Sequence, residues 1–237
     1  MTIKLINNDC MDWLSEVSDE SIDLAIIDPP YNVDYKYNDY IDNMAHEEYM
    51  KRQIDVIQEI ECKLKYGGSL VYITYPELAA EIYTYFKYHS ISMNPIERCT
   101  WVYNTNLWGK YLRKASRGIV WFSKWELKKN GIKWEYKNPT DKRIKLCIAE
   151  WKKPKEMDWI YVDQVKNVSK KHSHPCEIPQ KLLEKFVLWL TDEWDMLLDC
   201  FAGSGSLWLC AKNHNRSCIM IERDTKYCGE IKDRLDI

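Results

Sequence analysis

The chain carries nine cysteines, yet no two stand in a Cys-x-x-Cys pair, and the count is odd. Free thiols in a reducing compartment fit this better than a disulfide framework. No apolar run approaches the ~18–20 residues needed to span a bilayer. The amino-terminal stretch MTIKLINNDC turns polar within six residues, so no secretory leader is predicted. Phenylalanine is scarce, with 4 Phe against 16 Tyr and 11 Trp. Tyr and Trp add a polar handle to an aromatic ring, which suits both core filling and the stacking of planar partners. No internal repeat and no low-complexity segment interrupts the 237 residues, a length that fits one domain carrying an insertion.

Net charge is also small, at −2, which excludes a chain that binds polyanions over its whole surface. The charge is unevenly placed. Residues 124–171 hold 14 Lys and Arg against 7 Asp and Glu, an excess of seven that leaves −9 for the remainder. One basic face on a mildly acidic body follows. Just after that segment, His172, His174 and Cys176 read as a partial metal-ligand set. They lack a fourth ligand nearby, and no metal is expected.

Apolar patterning alternates strands with helices. Strands are predicted at 3–6, 22–27, 69–74, 96–103, 118–123, 194–200 and 217–221. Helices are predicted at 11–17, 47–64, 77–88, 179–191, 206–212 and 225–235, with Gly67-Gly68 ending the second. Residues 34–43 and 104–117 read as polar loops, and 124–171 as irregular. This order predicts an α/β layered fold with a largely parallel sheet flanked by helices.

Ligands of such sheets bind beyond the carboxyl ends of the strands. Two predicted strand ends carry chemistry. One is Asp199-Cys-Phe201-Ala202-Gly203-Ser-Gly205-Ser206. Its glycines remove Cβ atoms from the path of a ligand, and a helix follows. The next strand ends in Glu222, an acid placed to take the hydroxyls of a ribose. A turn needing glycine for its own sake is the alternative. A third glycine, as in GxGxxG, is missing. That favours a nucleoside without phosphates, such as S-adenosylmethionine, over a dinucleotide.

The other strand end is Asp28-Pro29-Pro30-Tyr31, after the apolar run Leu24–Ile27. Two prolines stiffen the backbone and remove N–H donors, so carbonyl oxygens stay available. Asp28 adds an acceptor and Tyr31 a ring. The set fits an exocyclic amino group on a planar base; a structural turn is the bland alternative.

Together the two motifs resemble those of amino-group DNA methyltransferases, which methylate adenine N6 or cytosine N4. Asp28-Pro29-Pro30-Tyr31 resembles the catalytic motif, and Phe201-Ala202-Gly203-Ser204-Gly205 the cofactor motif. The catalytic motif comes first, with the basic segment between, which resembles the circularly permuted order of the β class. Asn8-Asp9-Cys10 resembles the segment contacting the cofactor's adenine. His174-Pro175 and Pro179 resemble the HPxxxP motif closing over its methionine end. Cys200 and Ile178 depart from the residues common at those places.

The resemblance implies a single Rossmann-like methyltransferase domain over 1–237, with 124–171 as target-recognition region. It implies S-adenosyl-L-methionine as cofactor, held by Asp9, Cys10, Asp28, His174, Pro175, Asp199, Phe201, Ala202, Gly203, Gly205, Ser206 and Glu222. It implies double-stranded DNA as partner, from which one base is flipped out, and pairing of two copies as a homodimer. Trp108, Lys110, Arg113, Lys114 and Arg117 are the candidate DNA contacts, the cations on phosphates and the Trp as a wedge. Asp in the first motif position is usual for adenine-N6 enzymes, so adenine is expected ahead of cytosine-N4. A recognition subunit that no longer methylates is the other class considered. The expected setting is the cytoplasm of a prokaryotic or virally infected cell.

Overall fold

Six consecutive buried residues, Ile22–Ile27, form a strand at the centre of the molecule. Leu24 and Ile26 pack into one apolar cluster, and Ala25 and Ile27 into another. Strand side chains alternate faces, so this strand has a core on each side. In the computed structural model, residues 1–37, 41–104, 114–127, 157–165 and 177–235 are described.

In chain order the elements are β1 (Ile3–Asn7), α1 (Cys10–Leu14), β2 (Ile22–Ile27), β3 (Tyr35–Lys36), β4 (Ile41–Asp42), α2 (His46–Lys63) and β5 (Leu64–Thr74). Then follow α3 (Pro76–His89), β6 (Met93–Val102), β7 (Ser116–Lys124), β8 (Trp159–Tyr161), α4 (Gln180–Leu190), β9 (Met196–Asp199), α5 (Ser206–Asn213), β10 (Ser217–Glu222) and α6 (Thr225–Leu235). Eight strands make one sheet in the order β1-β10-β9-β2-β5-β7-β6-β8, while β3 and β4 form a separate antiparallel ladder. Helices α1, α2 and α3 cover one face through Leu14, Val56, Ile57, Ile60, Ile82 and Phe86. Helices α4, α5 and α6 cover the other through Leu182, Phe186, Leu207, Trp208 and Ile231. The expected α/β fold with a largely parallel sheet flanked by helices is therefore present. Burying each large aliphatic side chain contributes about 1.5–3 kcal/mol.

Within this sheet β7 alone runs against its neighbours, antiparallel to both β5 and β6. The carboxyl ends of β1, β10, β9, β2, β5 and β6 thus share one edge with the amino end of β7. Strands β2 and β9 are adjacent, and the chain leaves them in opposite directions, toward β5 and β10. That divergence opens a crevice above the pair.

Four sequence expectations change. Gly67-Gly68 does not end α2, which stops at Lys63 as Leu64 turns to extended backbone. Both glycines lie inside the eleven-residue β5, where the pairing with β2 shifts between Ile22 and Leu24. Residues 159–161, expected to be irregular, are a strand hydrogen-bonded along β6. Its three residues are too few to show a period. Finally, the expected loop at 34–43 contains the β3–β4 ladder, and Arg117 sits on β7 rather than in a loop.

Candidate active site

The exit of β2 is built by local devices. Tyr49 of α2 donates a 2.8 Å hydrogen bond to the Pro30 carbonyl. Asn32 adopts φ 59°, and its side-chain amide exchanges bonds of 2.8 and 2.6 Å with the Met44 backbone. Buried Asp42 accepts the Asn32 N–H at 2.7 Å. These contacts fix the Asp28–Tyr31 turn from outside and leave the Pro29 carbonyl without a partner among the described residues. Sequence reading missed Tyr49, Asn32 and Asp42, because their partners are backbone atoms 9–19 positions away.

The turn opens onto a cleft of about 250 Å³. Its walls come from four strand ends. Asp28, Pro29, Pro30 and Tyr31 follow β2; Asp199 through Ser204, with Ser206, follow β9. Glu222 closes β10, and Asn8, Asp9 and Cys10 follow β1. The catalytic and cofactor motifs, about 170 residues apart in the chain, therefore face one another.

Burial raises the Asp28 pKa to about 6, although the Tyr31 hydroxyl donates to its Oδ1 and the Arg117 cation favours ionisation. The residue itself keeps some solvent contact because it faces the open cleft. Asp199 is buried at the base of the crevice and caps the turn by accepting the Phe201 N–H at 3.0 Å. Burial, with Glu222 and Asp28 nearby, pushes it up to about 8 despite that bond.

Glu222 accepts the Gly203 N–H at 2.7 Å and the Asp224 N–H at 2.8 Å, one on each oxygen. Its carboxylate is thus fixed in position and keeps lone pairs for hydroxyl donors. Asp9 caps α1 and pairs with Arg52 at 2.9 Å. Cys10 and Cys200 are both buried along the same wall. Ser206 opens α5; its hydroxyl lies 2.9 Å from that of Ser204 and donates to Glu177 at 3.3 Å.

Gly205 stands apart from the other residues of its turn. It does not line the cleft. It takes φ 74°, and a Cβ there would stand 3.2 Å from Cγ2 of Ile231. Glycine suits both the left-handed backbone and the contact with α6.

Tyr31 and Tyr75, which follows β5, meet with ring centroids 4.8 Å apart at 56°. The Arg117 guanidinium lies over both, at 5.1 and 4.4 Å. Gly118 permits this neighbourhood: a Cβ there would stand 2.6 Å from the Ala79 Cβ and 3.0 Å from the Pro76 Cα. The first turn of α3 therefore rests directly on β7 and holds Tyr75 beside Arg117. Lys114 is exposed, with Nζ 4.8 Å from the Tyr75 ring. His174, Pro175, Trp108, Lys110 and Arg113 lie outside the described residues.

The sequence profile of the N6/N4 DNA methylase family matches residues 22–233. The chain belongs to the N6/N4 DNA methylase family. The chain is 30% identical to the Type II methyltransferase M.BglII of Bacillus subtilis, over 94% of this chain and 66% of that relative's length. It is 28% identical to the Type II methyltransferase M.HpaI of Haemophilus parainfluenzae, covering all of this chain and 75% of that one. Among solved structures, the cytosine-N4-specific PvuII DNA methyltransferase aligns with a TM-score of 0.78 at 20% identity, over 99% of this chain and 86% of that one.

In this member of the DNA methylase family, the cleft suits S-adenosyl-L-methionine by the chemistry of its donors. Asp9, Asp28, Asp199, Glu222 and Asp224 line it together with Arg52, Arg117 and Arg223, a polar setting that offers carboxyl groups to a ligand with sulfonium and ammonium charges. The fixed Glu222 carboxylate suits a ribose diol, and Phe201 offers an apolar face to a purine.

Proposed function

We propose that the chain is a site-specific DNA adenine-N6 methyltransferase using S-adenosyl-L-methionine. The observation that carries this reading is the cleft shared by Asp28 and the Asp199–Ser206 turn. Either motif alone would be a turn; opposed across one cleft, they can bring an amino group to a methyl donor.

A base inside a duplex cannot reach Asp28, so the target nucleotide leaves the stack. Asp28, ionised above about pH 6, accepts one N–H of the exocyclic amine. The Pro29 carbonyl accepts the other. These bonds pull the nitrogen out of conjugation with the ring and aim its lone pair. When bound, S-adenosyl-L-methionine would supply an activated methyl group with a neutral thioether as leaving group, and the amine nitrogen would lose one proton on accepting it. Positioning supplies most of the acceleration.

Around the cofactor, Asp9, Cys10, Asp199, Phe201, Ala202, Gly203, Ser206 and Glu222 form the wall, and His174 and Pro175 are assigned to its closing segment. Residues 124–171 serve target recognition, supported by their excess of positive charge. Because Trp159–Tyr161 belongs to the main sheet, recognition falls to the residues on either side of that strand. The bacterial relatives support a cytoplasmic setting.

Cytosine N4 is the second reading, since the PvuII enzyme named cytosine-N4-specific shares this fold. Nucleoside mass spectrometry of plasmid DNA from an expressing host decides between them. N6-methyladenine is the expected product. N4-methylcytosine would transfer the reading to cytosine. Neither product, in a protein that still binds the cofactor, would mark a silent recognition subunit.

A further inference from the structure

Arg117 was expected to bind DNA phosphate, but its surroundings are those of a built-in part. Its guanidinium carbon lies 4.4, 5.1 and 5.6 Å from the ring centroids of Tyr75, Tyr31 and Tyr103. Its Nη1 donates to the Tyr103 hydroxyl and, at 3.2 Å, to the Ser116 carbonyl. A planar guanidinium can stack on rings while its edge donates hydrogen bonds, which an ammonium cannot do. Tyr31, under this cation, donates its hydroxyl to Asp28.

We propose that Arg117 is a positioning residue of the transfer reaction: it locks Tyr31 and Tyr75 as one wall of the target-base slot and keeps the Tyr31–Asp28 hydrogen bond aimed. This rests on the methyltransferase reading above and goes beyond it, because it moves Arg117 from phosphate contact to the active turn. Lys114, exposed at the rim, keeps the phosphate role.

The charge environment agrees with the geometry. The groups facing the Asp28 carboxyl are Tyr31 from its own turn, Tyr49 from α2, Tyr72 from β5, Asp199 from β9 and Arg117 from β7. Among the described residues, Arg117 is the only cation in that set. It opposes the upward push of burial on Asp28. Removing it leaves burial less opposed, so ionisation of Asp28 requires a higher pH.

The test compares Arg117→Gln, Arg117→Lys and Lys114→Gln in the full chain. Steady-state rates are followed against pH, and DNA binding against salt. Arg117→Gln should lower kcat by about tenfold to a hundredfold and move the acid limb of the kcat profile to higher pH. Its DNA KM should change less than about twofold, with an unchanged salt slope. Arg117→Lys should return the acid limb toward the parent position without restoring kcat, and it keeps the test open if the Gln variant misfolds. Lys114→Gln should instead weaken DNA binding and reduce the salt slope by about one. If Arg117→Gln behaves like Lys114→Gln, with kcat and pH profile intact, the proposal is overturned while the methyltransferase reading stands. If the unmodified protein transfers no methyl group, both fall.

Discussion

Arg234 and Glu177 form a 2.6 Å ion pair, with each side chain only 16% exposed. The same guanidinium donates to the Ser204 carbonyl at 2.9 Å, and Glu177 accepts the Ser206 hydroxyl. Gln180 adds a 2.8 Å bond to the Ser206 carbonyl. The last helix thus clasps the glycine turn to the residues just before α4. Arg234→Ala strands a largely buried carboxylate and should cost about 3 kcal/mol of stability. It should also weaken cofactor binding roughly tenfold, or about 1.4 kcal/mol. Thermal unfolding and titration calorimetry measure the two effects. A charge-swapped pair, Glu177→Arg with Arg234→Glu, should recover part of the stability but not the bond to Ser204.

Asp28→Asn keeps the shape of the turn and removes the charge. Methyl transfer should fall by at least about a hundredfold, while cofactor affinity, measured by calorimetry, stays within a few-fold. In the unaltered protein, transfer should decline as pH drops through about 6, where the carboxylate takes up a proton. A pH-independent rate from 5 to 8 would count against an ionised Asp28.

Asp199 makes a prediction of opposite character. Its pKa rises from the ordinary carboxylate range to about 8, so the folded protein holds a proton there that the unfolded chain releases. Folded protein therefore binds more protons between about pH 4 and 8, and stability falls as pH rises across that window. A cationic ligand favours the ionised form, so cofactor binding should release a proton near neutrality and tighten toward pH 8. Calorimetry in buffers of different ionisation enthalpy reads the proton directly. Asp199→Asn should flatten both dependences.

Gly205→Ala tests whether that residue serves backbone or ligand. At φ 74° an alanine costs about 1–2 kcal/mol, and its Cβ crowds Ile231 at 3.2 Å. The melting temperature should fall by several degrees. Cofactor affinity of the folded fraction should change little, because position 205 is not on the cleft wall.

Much of this arrangement was legible in the chain. The apolar run Leu24–Ile27 within β2 announced a buried strand, and the acids at positions 28, 199 and 222 announced strand ends bearing chemistry. Residues that act through backbone partners were not legible. Tyr49 looks like any aromatic on an amphipathic helix until Pro30 is placed beside it. Arg117 was grouped with surface cations because the sequence shows its charge and not the three rings around it. Gly67 and Gly68 misled, since local rules assign paired glycines to a helix end, whereas here they sit within β5. The contact of Gly205 with Ile231 was not legible either, because Ile231 lies 26 positions away on another helix.

The reversed direction of β7 has a mechanical consequence. Thr74 sits opposite Gly118, and Val102 opposite Ser116, so Arg117 reaches the catalytic edge at a fixed place in two ladders at once. Sliding β7 by one residue would point every one of its side chains to the opposite face. Arg117 would then turn away from Tyr31 and Tyr75. A residue added inside β7 would uncouple the aromatic wall from Asp28 without touching either.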